Sequence, residues 1–384
     1  MRVPLSPVLA AQAVYPFVRI EQAKRRTAAA GIEIFDFGQG DPREPTDPTI
    51  RAALVEALAE TSGYPKAEGL PELRHAVAEW LAGRFGVDVD PAAEIVPTLG
   101  SKEAIFSFAQ VVLDPASGKD TVVVTEPGYP VPERGALFAG ARIVRLPLLE
   151  ENGFLPDLDD LSPGTLARAA IVWVNYPNNP TGAVAPLELY ERLSTLADEH
   201  DFLLASDEAY SELWFGAEPP SALQVSDRSR VVVFNTLSKR SSMTGYRSGF
   251  VAGPVWVMDA LRAYRPTVGT APQEFVQRAS VVAWRDEVHV ARMRGVYREK
   301  RDIFLDALAA CGWRVAGSEA TMYLWVEAPA GESSEECAER LLRHGIVVAP
   351  GAYLGPSGEG YIRMALVPPV ADCERAAAIF REIA

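Results

Sequence analysis

The sequence predicts an α/β protein, with a mainly parallel sheet in a large domain and a smaller α+β domain beside it. Three observations carry this. From Asp90 to Ala252, short β-branched runs alternate with helical stretches, the pattern of parallel strands joined by crossover helices and covered on both faces. Most of these runs end in loops dense in Gly, Pro and polar residues. In open α/β sheets, ligands bind at such carboxyl ends. After Ala271 the pattern changes to long helices interleaved with a few short strands.

Taken in order, residues 1–13 hold Pro4, Pro7 and a single basic residue, and read as an extended arm rather than a signal peptide. Residues 17–30 form a short helix and 33–37 a strand. FGQGDPREPTDP follows, a loop whose Gly38 and Gly40 let the backbone approach a ligand. Residues 49–60 form an amphipathic helix, and Pro71 opens another in a favourable first-turn position. Strands are expected at 94–97, 121–125, 142–146, 170–174, 202–205, 231–235 and 250–252, with helices at 102–112, 132–138 and 186–200. Downstream, 275–283 and 288–310 are helices, the second long enough to bridge two domains. The tail yields strands at 313–316, 322–326, 346–349 and 361–365, and helices at 334–344 and from Ala371. This places a large domain at 46–287 and a small one at 1–45 plus 288–384, the two chain ends packing together.

Composition narrows the function. The chain has 384 residues, 48% hydrophobic and 23% charged, an ordinary globular balance. Its formal charge of −14 repels polyanions and argues against nucleic-acid binding. Cys311, Cys337 and Cys373 are scattered, and His75, His200, His289 and His344 form no ligand-spaced pair, so neither a metal site nor a disulfide frame is expected. No apolar run reaches the length of a membrane span, and a cytoplasmic protein is expected.

The chemistry gathers at strand ends. In VVVFNTLSKRSSMTGYRSGF (231–250), a buried run breaks into a polar loop holding Thr236, Ser238, Lys239, Arg240 and Arg247. Partial desolvation and neighbouring cations favour neutral, nucleophilic lysine; taken alone, Lys239 reads first as a solvated loop residue. LGSKEA (99–104) puts free backbone N–H groups at a helix start, a phosphate cradle or an ordinary strand–helix turn. Tyr129 in TEPGYP could stack on a planar ring or simply fill a turn. NYPNNPTG (175–182) is a rigid loop rich in amide donors. Asp207, opening DEAY at a buried strand end, caps a helix or pairs with a cation such as a protonated ring nitrogen. Arg363, inside the apolar YIRMAL, needs an anion, and a carboxylate suits its fork. An amine nucleophile, a buried acid, a phosphate cradle and a stacking aromatic together fit pyridoxal phosphate.

The ordered set GSKEA, EPGYP, NNPTG, SDEAY, TLSK with Arg247 eight residues after Lys239, and YIRMAL resembles the fold-type I, class I/II aminotransferases from about Phe35 to the C-terminus. The resemblance implies a seven-stranded sheet in the large domain and a pyridoxal 5′-phosphate cofactor. It implies that Lys239 is the Schiff-base lysine and moves the proton between substrate and cofactor. Asp207 matches the acid on the ring nitrogen, Tyr210 and Asn179 the donors to the phenolic oxygen, and Tyr129 the stacked aromatic. Ser101, Lys102, Thr236, Ser238 and Arg247 match the phosphate site. Tyr64 resembles the tyrosine supplied by a second subunit, which implies a homodimer with shared sites. Arg363 matches the substrate-carboxylate clamp, with Asn179 and the Gly40 backbone nearby.

TLSKRSSMTGYRSGF with FGQGDPREPTD looks most like the succinyldiaminopimelate transaminases of lysine biosynthesis. The expected reaction is then ping-pong transfer of an amino group from N-succinyl-LL-2,6-diaminopimelate to 2-oxoglutarate. A donor with distant carboxylates calls for a further cation, for which Arg19, Arg43 and Arg265 are candidates. An aspartate, alanine or aromatic transaminase and a β-lyase are alternatives on the same scaffold. A pyridoxal-phosphate-sensing regulator would need a DNA-binding domain before Phe35, for which this sequence leaves no room. Arg240 has no evident role at this level.

Overall fold

A computed structural model describes residues 6–11 and 16–383, the side chains of residues 11 and 16–19 excepted. Its centre is a seven-stranded sheet in the order Ile95–Thr98, Gly249–Ala252, Val231–Thr236, Leu203–Asp207, Ala169–Asn175, Thr121–Glu126, Arg142–Pro147. Gly249–Ala252 runs antiparallel to both of its neighbours, and the other adjacent strands pair in parallel. Period-two alternation sends consecutive residues to opposite layers. Val122, Val124, Ile171, Trp173, Val232 and Phe234 join helix Ser101–Val112 in one core. Val123, Val172, Leu204 and Val233 join helices Pro71–Phe85 and Glu274–Arg285 in the other. Both faces are therefore covered, which is why these strands read as unbroken apolar runs. The expected α/β class with a mainly parallel seven-stranded sheet is what the chain adopts.

A second, four-stranded sheet runs Ala349–Pro350, Tyr361–Ala365, Tyr323–Glu327, Val315–Gly317, with antiparallel neighbours. It shares a third core with residues of Val288–Ala310, Ser334–Arg343 and Val370–Ile383. Phe35–Asp36 pairs in parallel with Ile346–Val347, so the N-terminal part of the chain is built into this C-terminal unit. Phe37 meets Phe304 edge to face there, with ring centroids 5.1 Å apart. Among the described residues no helix is long and apolar enough to cross a membrane.

Several local expectations change. Within the presumed extended arm, Pro7–Ala11 is helical, while residues 1–5 and 12–15 lie outside the described residues. The helix expected at 49–60 is Pro48–Glu56, capped at its start by the Asp47 carboxylate, which accepts from the Thr49 N–H. Helix Val255–Tyr264 was not anticipated: it follows a buried strand with only Gly253 and Pro254 between, so one apolar run hides two elements. The strand expected at 346–349 is two short pieces, Ile346–Val347 and Ala349–Pro350.

Candidate active site

The strand-end loops converge on a cavity of about 570 Å³. Strand Val231–Thr236 leads into it, and the next residues form not a loop but a single helical turn, Leu237–Arg240. Thr236 caps that turn, its Oγ1 accepting from the Ser238 N–H at 3.2 Å while lying 3.0 Å from the Ser248 carbonyl oxygen. The cap aims Lys239 into the cavity, where its Nζ donates to the Gly40 carbonyl. Burial lowers the Lys239 pKa to about 8; Arg363, Arg247 and Lys102 push the same way, and Asp41 opposes them. The lysine thus gives up its proton far more readily than a free lysine does.

Asp207 ends the adjacent strand and is 4% exposed. Burial raises its pKa to about 7, against the Ala209 N–H, which donates to Oδ1 at 3.2 Å, and against Lys239. A carboxylate this dry ionises readily only beside a cation.

The amide-rich loop is a scaffold before it is a site. Asn175 donates to the Asp207 carbonyl at 2.8 Å and accepts from the Asn179 N–H at 2.9 Å. Asn178 holds the turn by accepting from the Thr181 N–H and hydroxyl. Asn179 accepts from Arg363 Nη1 at 2.9 Å, which leaves its NH2 as the donor it offers the cavity. Arg363 Nη2 donates to the Gly38 carbonyl, also at 2.9 Å. The guanidinium is 3% exposed and held by two neutral acceptors. It lines the cavity, where its planar fork suits a carboxylate.

Opposite charge requirements meet at the start of helix Ser101–Val112. Gly100, at φ +74°, precedes Ser101, and a Cβ there would come within 2.8 Å of Arg247 Nη2. Arg247 itself occupies the left-handed region at φ +56°, uncommon for a side-chain-bearing residue. Its fork donates to the carbonyls of Thr244 at 2.8 Å and Leu99 at 3.0 Å. Ser101, Lys102, Thr236, Ser238 and Arg247 all line this end of the cavity. Burial lowers the Lys102 pKa, and the Arg247 and Arg134 charges lower it further. Free helix N–H groups, three hydroxyls and crowded cations form a cradle for a dianion.

Of the residues singled out in the sequence, Gly40, Ser101, Lys102, Tyr129, Asn179, Asp207, Tyr210, Thr236, Ser238, Lys239, Arg247 and Arg363 all line this one cavity. Tyr64 does not; it is fully exposed. Neither does Arg265, 2% exposed, which donates to Glu103 Oε1 at 2.6 Å and braces two helices instead of reading a substrate. Arg43 is also absent from the lining, with Nη2 3.7 Å from Asp36 Oδ2, and the Arg19 side chain lies outside the described residues. Sequence reasoning missed Glu21, Gln39, Asp41, Asn175, Thr244, Tyr323 and Leu354 as lining residues. Gln39 and Asp41 flank Gly40 and Asn175 opens the amide-rich loop, so their neighbours were a usable signal; Tyr323, inside an apolar strand, offered none.

This donor set fits pyridoxal phosphate: a dry acid for the ring nitrogen, a phenol and an amide for the phenolic oxygen, an amine for the aldehyde, and the cradle for the phosphate. Comparison with known proteins agrees. The profile of the family "Aminotransferase class I and II" matches residues 32–380. "LL-diaminopimelate aminotransferase 2" of Trichormus variabilis is 40% identical over 359 residues, 92% of this chain and 91% of that protein. A solved "probable N-succinyldiaminopimelate aminotransferase" from Thermus thermophilus superposes with a TM-score of 0.89 at 32% identity, covering 96% of this chain and 100% of that one. A single mutant of the Thermus thermophilus aspartate aminotransferase superposes with a TM-score of 0.92 at 31% identity over the full length of both.

Proposed function

The chain belongs to the class I and II aminotransferases, which are pyridoxal-phosphate-dependent, and on that premise we propose that its amino donor is LL-diaminopimelate and its acceptor 2-oxoglutarate. The donor is supported by the name of the 40%-identical relative and by the cavity wall. Glu21 and Asp41 line it, and the Lys24 ammonium holds the Glu21 carboxyl below its ordinary pKa. Glu21 is already paired with Lys24 and Arg25, so Asp41 is the acid that suits the distal ammonium, which unmodified diaminopimelate carries beside its distal carboxylate. N-succinylation removes that ammonium and adds a carboxylate, and neither Arg43 nor Arg265 lines the cavity to receive one. The N-succinyl donor, favoured by the loop sequences and by the 32%-identical Thermus thermophilus structure, is therefore the second reading.

The bound cofactor supplies an electron sink for the carbanion left when the substrate Cα loses its proton. The chain's own residues do the rest. Lys239 would hold the cofactor, and its freed amine would take the substrate Cα proton and return it to the cofactor C4′. Asp207 keeps the ring nitrogen protonated, and Tyr210 and Asn179 donate to the phenolic oxygen. Tyr129 stacks on the ring. Ser101 and Lys102, mainly through backbone N–H groups, hold the phosphate with Thr236, Ser238 and Arg247. Arg363, steadied by Asn179, clamps the substrate α-carboxylate near the Gly40 backbone. Tyr64 of a partner subunit completes the phosphate site, which makes the enzyme a homodimer; the exposed Val55, Leu58 and Tyr64 supply an apolar face for it. The large unit is 46–287 and the small one 1–45 with 288–384. The three free cysteines suit a cytoplasmic setting.

The convergence of Lys239, Asp207 and Arg363 on one cavity carries this reading. A panel of amino donors with 2-oxoglutarate tests it. LL-diaminopimelate should give the highest kcat/KM, above the N-succinyl derivative, aspartate, alanine and aromatic amino acids. An aspartate-led or flat ranking overturns the substrate, and a succinyl-led one restores the second reading.

A further inference from the structure

Tyr323 belongs to strand Tyr323–Glu327 of the four-stranded sheet and is 3% exposed. Its hydroxyl lies 2.9 Å from the Tyr210 hydroxyl, and the two rings meet edge to face with centroids 5.5 Å apart. The Arg363 guanidinium sits over its ring, 4.5 Å from the centroid. The hydroxyl also packs so tightly on Gly40 that a Cβ there would come within 2.0 Å of it. Gly40 is the residue whose carbonyl holds Lys239.

We propose that Tyr323 is a positioning residue joining both halves of the site: its hydroxyl turns the Tyr210 proton toward the cofactor, and its ring holds the Arg363 fork for the substrate carboxylate. The proposal rests on Tyr210 being the donor to the phenolic oxygen. A phenol has one proton to donate. Two hydroxyls at hydrogen-bond distance place one proton between them. Were it the Tyr210 proton, Tyr210 could only accept from a ligand. With Tyr323 donating, Tyr210 accepts from it and keeps its own proton for the cofactor. Burial holds Tyr210 well above its ordinary pKa, so that proton stays in place. The ring acts separately, through the cation–π contact that steadies Arg363 beyond its bonds to Asn179 and Gly38.

The test uses the cofactor-loaded enzyme and reads the pH titration of its visible absorbance alongside kcat and KM. A donor at the phenolic oxygen draws charge from it and makes the linkage to Lys239 less basic, so losing the donor raises the spectral pKa. Tyr210→Phe should raise it by about one pH unit. Tyr323→Phe should raise it by about half a unit, and Tyr210→Phe/Tyr323→Phe no further than Tyr210→Phe alone. KM for the amino donor should stay within about twofold in Tyr323→Phe, which keeps the ring, and rise about fivefold in Tyr323→Leu. A Tyr210→Phe shift with none in Tyr323→Phe, or fully additive shifts, overturns the hydroxyl role while the donor reading stands. No shift in Tyr210→Phe removes the premise itself. An unchanged KM in Tyr323→Leu overturns the ring role.

Discussion

Lys239 and Arg240 are consecutive cations on one helical turn, yet their side chains end in different worlds. Lys239 lines the cavity among other cations, and burial with their repulsion lowers its pKa to about 8. Arg240, 1% exposed, lies between aromatic faces, its Cζ 5.0 Å from the Trp284 ring centroid and 5.7 Å from that of Trp80. It donates to the Ala283 carbonyl at 2.6 Å and pairs with Glu287. One site crowds an amine with cations, which favours its neutral form; the other surrounds a cation with partners, so that it holds helix Glu274–Arg285 against the turn that carries Lys239. Adjacent charges are thus read by what surrounds them, not by proximity in sequence.

Removing the reactive member should have the larger effect on activity. Lys239→Ala should lower kcat by more than about 10⁴-fold, since on the roles proposed above both the attachment point and the proton carrier go. It should also abolish the absorbance of lysine-bound cofactor. Stability moves oppositely. The folded chain holds this lysine with a pKa lowered from 10.5 to about 8, so protonation disfavours folding progressively as pH falls from 10.5 to 8, and fully below. Without cofactor, the variant should melt above the wild type at pH 7, the gap closing as pH rises toward 10.5. A melting point well below wild type at pH 7 would make Lys239 a structural cation like its neighbour.

Asp207→Asn is the next test. An amide does not hold a ring nitrogen protonated, and kcat should fall about 10²- to 10³-fold. Here burial raises the pKa from 3.8 to about 7 in the cofactor-free chain. Ionisation then disfavours folding increasingly between pH 4 and 7, and fully above. Cofactor-free Asp207→Asn should match wild-type stability at pH 4 and exceed it at pH 7.5. Equal unfolding midpoints at both pH values would show that the acid is wetter than its burial implies.

The contrast also explains what was legible in the sequence. Parallel strands deliver their ends to one edge, so each strand-end loop could be read locally: Asn179, Asp207 and Lys239 each follow or end their own strand. The family resemblance then supplied roles. Residues whose meaning comes from distant partners stayed hidden. Arg240 gains its role from Trp80 and Trp284, far away in the chain, and Arg265 from Glu103. Tyr323 meets Tyr210 across 113 positions and sits in a strand that is otherwise mostly core. No periodicity marks such contacts. The cavity wall was hidden for a related reason: of the arginines weighed for a distal contact, neither Arg43 nor Arg265 lines it, whereas Glu21 from the N-terminal helix and Asp41 from the glycine loop do.

The smallest effects on catalysis, and the sharpest separation of the two cations, should come from Arg240. Arg240→Ala strips the aromatic faces of their cation, leaves the Ala283 carbonyl without its donor and takes a compensating charge from near the buried Glu212. Glu287 is 56% exposed and can turn to water, so the loss should sit near the lower end for a buried pair, about 3 kcal/mol in chemical denaturation. The folded fraction should keep KM within about twofold of wild type, because nothing in the cavity is removed. Arg240→Lys keeps the charge but not the planar fork that bonds and stacks at once, and should lose about 1 kcal/mol. If Arg240→Ala instead raised KM tenfold at unchanged stability, the turn would transmit its packing into the cavity, and the two cations would form one functional unit.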